Sequence, residues 1–172
     1  MFKTIFIAIV SVSLWSCGAN TPKSEDPTFT KDHSNMTEKS DMQITGEELK
    51  SYFLPNSIQI NEPYLVEVIQ DRDTFEKYLH PAATMTSKFR DYDFNKEFVL
   101  VVAGKTSDLK PYFSVESFKK KDNVLHVHLK EFKENAPESF SITPLVAYAF
   151  PKEGISKIMV SINDYAIEKS VN

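Results

Sequence analysis

Phe98-Val99-Leu100-Val101-Val102-Ala103, closed by Gly104, is the stretch on which the fold turns. An unbroken apolar run, mostly β-branched or aromatic, predicts a strand covered on both faces and therefore central in its sheet. Upstream, Tyr64-Leu65-Val66-Glu67-Val68-Ile69 is dense in β-formers and short enough to be a strand beside it. Between the two, Asp73-Thr74-Phe75-Glu76 has a capping pattern, and Phe75, Tyr78 and Leu79 share a helical face before Pro81. Thr45-Gly46-Glu47-Glu48 reads as a second capping box, with Leu49, Tyr52 and Phe53 at helical spacing before Pro55.

Downstream, residues 112–118 and 124–132 form two extended segments around Lys121-Asp122-Asn123, which predicts a hairpin. In the second segment Leu125, Val127 and Leu129 point one way, and His126, His128 and Lys130 the other. Leu145-Val146-Ala147-Tyr148-Ala149-Phe150 is a further strand, with Pro144 at an edge, a bulge or the entrance. Ile158, Val160 and Ile162 alternate with polar or softer residues in a last one. Short turns with no helix-length crossover between the later strands predict an antiparallel sheet. The expected class is mainly β (α+β): one compact domain of antiparallel strands with two short helices, at 44–172, behind a disordered tether.

The tether, residues 17–43, is built from Ser, Thr, Asp, Glu, Lys, Asn and Pro and has too little apolar surface to offset the entropy of ordering it. Flexible-chain scaling gives it an r.m.s. span of roughly 25 to 30 Å. Ahead of it, Lys3 and an apolar run from Phe6 to Val10 that resumes at Val12 and Leu14 have the layout of an export signal, too short to span a bilayer as a helix. Leu14-Trp15-Ser16-Cys17 resembles the lipobox of bacterial lipoproteins, which implies a signal peptide at 1–16, cleavage before Cys17, and acylation of Cys17, palmitate included. The sequence holds one cysteine, so an intramolecular disulfide is impossible. The lipid bilayer is thus one expected partner, and the bacterial cell envelope, facing periplasm or exterior, the expected location.

A net charge of -4, with lysines dispersed among acids, argues against nucleic acid as a partner, since binding it requires a concentrated positive surface. With four glycines, at Gly18, Gly46, Gly104 and Gly154, neither a phosphate-cradling loop nor a glycine-flanked nucleophile elbow is present. No catalytic residue and no cofactor is expected, and the chain is not read as an enzyme.

The order Val68-Ile69, Asp73-Thr74-Phe75-Glu76-Lys77-Tyr78, Asp93-Phe94-Asn95-Lys96, the strand at 98–104, a hairpin, and Ile142-Thr143-Pro144 resembles the small envelope lipoproteins related to the protease complex subunit PrcB. That resemblance implies a β-rich, non-catalytic accessory subunit that binds another envelope protein. Thr106-Ser107-Asp108-Leu109-Lys110-Pro111-Tyr112 keeps the family's tyrosine after the central strand and lacks its glycine-rich turn.

Three constellations compete for a role in binding. His126 and His128 share one strand face, and a turn through Lys121-Asp122-Asn123 puts Glu116 opposite His128, so His126, His128 and Glu116 form a possible open metal site. The plainer reading is a solvated strand face. Among 13 Phe and 7 Tyr, most fall on core faces, whereas Tyr92, Tyr112 and Tyr165 lie near strand ends and are candidates for an exposed partner-binding patch. Asp91-Tyr92-Asp93-Phe94-Asn95 imitates the start of a calcium loop, but Lys96 stands where that loop needs glycine and Val102 where it needs glutamate, leaving turn chemistry as its reading.

Overall fold

The computed structural model describes residues 41–82 and 90–172, and it is mainly β with one short helix. The expected signal peptide, Cys17, residues 17–40 of the tether and residues 83–89 lie outside the described residues.

The central strand forms as its composition dictates. β6 (Glu97–Gly104) pairs antiparallel with β4 (Tyr64–Ile69) on one side and β9 (Leu145–Pro151) on the other. β2 (Glu47–Glu48) completes a four-stranded sheet in the order β2-β9-β6-β4. Phe98, Leu100 and Val102 point into one apolar core, and Val99 and Val101 into another on the opposite face. Each side chain so buried contributes about 1.5 to 3 kcal/mol, so a run without alternation is stable only with cover on both sides. Pro144 stands at the entrance of β9, where its carbonyl accepts from Gly104 N–H at 3.0 Å.

The first core lies against a second, five-stranded sheet made of β1 (Met42–Gln43), β7 (Tyr112–Lys121), β8 (Val124–Phe132), β10 (Lys157–Ile162) and β11 (Tyr165–Ser170). Leu125, Val127, Leu129, Ile158, Val160 and Ile162 meet Phe98, Phe150 and Leu100 there. The expectation of purely antiparallel pairing fails at one place. β8 and β10 are parallel, with Val127 beside Val160, because the chain leaves this sheet after β8, runs as β9 in the other sheet, and returns as β10. A strand in the facing layer does the work that a crossover helix does in a βαβ unit. β11, which follows a tight Asn163-Asp164 turn with Asn163 at φ 51°, adds a strand that the sequence reading did not include.

The second core is covered by α1 (Arg72–Tyr78), whose Phe75 is buried among Tyr52, Tyr92 and Phe94 at ring distances of 5.5, 5.4 and 5.9 Å. The cap of this helix lies two residues before the expected one. Asp71 caps it, accepting from Thr74 N–H at 2.7 Å and from the Thr74 hydroxyl at 2.8 Å.

The other expected helix, at Thr45-Gly46-Glu47-Glu48, does not form. β2 joins the edge of β9, pairing Glu48 with Tyr148, and Leu49 N–H donates to Ala147 O at 2.9 Å. β3 (Tyr52–Phe53) then pairs with β5 (His80–Pro81). Ser51, at φ 64°, breaks the helical path between them. So short a helix is marginal by itself, and a free strand edge offered its amides better partners. Gly46 is required at this approach, since a Cβ there would stand 2.6 Å from the Phe150 ring.

Candidate binding surfaces

The histidine pair lies on the outward face of the five-stranded sheet. His126 and His128 are half-buried and alternate with Leu125, Val127 and Leu129, which are all buried. The expected third ligand is misplaced. The β7–β8 turn uses two residues, Asp122 and Asn123, so Lys121 pairs with Val124, Lys119 with His126, and Ser117 with His128. Glu116 falls in a bulge between Val115 and Ser117. The register that made His126, His128 and Glu116 a metal set is therefore not the one formed, and among the described residues no three His, Cys, Asp or Glu side chains are grouped to hold an ion.

The bulge has a cause in the sequence. Phe113 and Val115 pack on the core, and so does Phe118, whose position is of opposite parity. A strand with strict alternation cannot bury both sets, and one inserted residue restores the match.

The tyrosines do not form the expected patch. Tyr92 is 7% exposed and lies in the second core, its ring tilted against those of Phe75 and Phe94, with the Arg90 guanidinium 4.8 Å from its ring centre. Burial pushes its phenol up to about 12. Tyr165 is half-buried against Tyr64, at 5.6 Å between rings. Only Tyr112 of the three is open, at 51% exposure. Its partner is Phe132, directly across the ladder, with rings 5.4 Å apart and 17° from parallel. Phe132 carries a signal readable in the sequence: it is an aromatic residue in phase with His126, His128 and Lys130, on the solvent side of β8.

Lys130 stands beside this pair, whereas Lys119 and Lys121 lie at the other end of the hairpin, opposite His126 and Val124. Lys119, Lys121 and Lys130 are exposed and make no ion pair among the described residues, Lys130 resting instead 5.3 Å from the Phe132 ring centre. Lys157 is paired with Glu168 at 2.8 Å. An exposed stacked pair with one lysine ammonium against it has the composition of a recognition surface.

One polar contact ties the two sheets together, and others fix the loop that leads into β6. Tyr64 donates its hydroxyl to Glu131 at 2.9 Å, and burial followed by that carboxylate pushes the phenol up. Arg90 holds Glu97 through two contacts, at 2.7 and 2.8 Å, and also pairs with Glu47. Asp93 accepts from Asn95 N–H and pairs with Lys96 at 3.1 Å, the turn chemistry read from its sequence, and these donors hold its carboxyl below the usual range.

Compared with protein families, with curated proteins and with solved structures, the chain matches none.

Proposed function

We propose that this protein is a lipid-anchored, non-catalytic binding subunit of the bacterial cell envelope, tethered through Cys17 and contacting another envelope protein. The observation that carries this reading is Leu14-Trp15-Ser16-Cys17 behind a basic and apolar leader, with a linker of low apolar content directly after it. A single acyl chain holds a protein only weakly, so an anchor of several chains gives near-permanent attachment. The resemblance to PrcB-related lipoproteins favours an accessory role, and the exposed Tyr112–Phe132 pair supplies a surface suited to it.

Metabolic labelling with an alkyne fatty acid in a bacterial host tests the anchor. The wild-type chain incorporates label and sediments with membranes, and Cys17→Ala does neither; an unlabelled wild-type chain would end the lipoprotein reading. A photo-crosslinking residue at position 112 tests the contact. It should capture one envelope protein that the same residue at position 62 does not, and recovery of abundant porins alone would count against a specific partner.

A further inference from the structure

At one end of the four-stranded sheet lies a groove of about 390 Å³ that no reading of the histidines or tyrosines involves. One wall is the turn after β3, where Ile58 N–H donates to Pro55 O at 3.0 Å and Leu54 and Pro55 are buried. The opposite wall is where the chain leaves β6 and re-enters at β9. These two strand ends are locked to each other: Ser107 and Ile142 exchange backbone hydrogen bonds at 3.0 and 2.8 Å, and the Thr106 and Thr143 hydroxyls meet at 2.6 Å. The wall is therefore an extension of the sheet, and side chains on it keep their positions better than on a free loop.

The lining has a distinct chemistry. Lys105, Thr106 and Thr143 share the lining with Asn56 and Gln59, and Leu54, Pro55, Ile58 and Ile60 supply apolar surface. No lining residue is acidic, although the chain carries 24 Asp and Glu. Lys105 is exposed and forms no ion pair among the described residues, so its charge is free for a ligand. Of the two threonine hydroxyls, one donates to the other, which leaves the second hydrogen for an outside acceptor.

We propose that this groove binds a small polyol bearing an oxyanion, a carboxylate or a phosphate, as in an acidic sugar. The Lys105 ammonium takes the oxyanion, the strongest kind of hydrogen bond available there. Asn56, Gln59 and the threonine pair each both donate and accept, as the hydroxyls of a polyol do. An amine or amino acid is disfavoured because no carboxylate receives its ammonium group. The volume is at the small end for a ligand pocket, which suits a molecule of monosaccharide size. This inference stands independently of the lipid anchor.

Calorimetric titration of the full chain in detergent with glucuronate, glucose 6-phosphate, glucose and glucosamine tests it. One or both anions bind saturably, with Kd near or below about 1 mM, and which of them binds tells carboxylate from phosphate. Lys105→Gln weakens that binding about tenfold or more, the equivalent of roughly 1.4 kcal/mol. Lys105→Arg retains it, and Thr143→Val reduces it, while thermal unfolding reports that each variant is folded. No saturable anion binding, equal binding of glucose or glucosamine, or unchanged affinity in Lys105→Gln would each overturn the proposal.

Discussion

Ser117 lies directly across from His128 on the β7–β8 ladder, and Glu116, one residue earlier, is skipped by the pairing. That offset decides both which side chains neighbour the histidines and how Phe113, Val115 and Phe118 all reach one core.

Deleting Glu116 should therefore be tolerated. Val115 already pairs with Leu129 and Ser117 with His128, so removal regularises the strand and leaves every partner in place. Urea unfolding should show a change within about 1 kcal/mol. Deleting Ser114 instead flips the residues before it to the wrong face, and the midpoint should fall sharply.

The true start of α1 distinguishes two aspartates. Asp71→Ala removes the side chain that accepts from Thr74 N–H and should cost about 1 kcal/mol. Asp73→Ala, within the first turn, loses only a favourable charge at the helix N-terminus and should cost a few tenths of a kcal/mol, roughly. Equal losses in denaturant titration would contradict this cap.

Tyr64 bridges the two sheets through the Glu131 carboxylate, which is 10% exposed. Tyr64→Phe keeps the ring against Phe113 and Tyr165 and removes only the donor. A hydrogen bond to a charged group contributes about 1.5 to 3 kcal/mol, so a loss of that order is expected. Glu131→Gln made in the same background should add much less than it does alone, a coupling measurable by a double-mutant cycle.

The Tyr92 phenol gives the fold an alkaline limit. Its pKa is raised from 10.0 to about 12, chiefly by burial, so the folded state holds this proton more tightly than the unfolded chain does. The associated stability is complete below the unfolded value and is lost as pH rises through the folded one, so unfolding midpoints should decline from about pH 10 towards 12. Tyr52, Tyr64 and Tyr148, also raised, add to the same slope. Tyr92→Phe should flatten it, and an unchanged slope would show that the phenol ionises without unfolding.

Much of the β layer was legible because periodicity reports burial locally. The apolar run at 98–103, the alternation in β8 and that in β10 each identify a strand and its inward side. The candidate sites were less legible. Tyr92 lies between predicted elements, and nothing nearby in sequence announces that Phe75 and Phe94 enclose it. Register was lost by a single residue in the turn, since Lys121 belongs to β7 and Asp122 takes the left-handed position at φ 55°. Asp is one of the few residues that adopts that conformation readily, so it was the available clue.

By itself the sequence determined the central strand, its two-sided burial, the inward faces of β8 and β10, and the existence of a helix near Phe75, because each follows from side-chain spacing within a few residues. Only the tertiary structure decided that 45–53 pairs as edge strands, that β8 and β10 run parallel, and that Glu116 bulges away from His128. Those outcomes depend on which backbone edges are left free once both sheets have packed, and a free edge is a property of the assembled layers that local spacing does not encode.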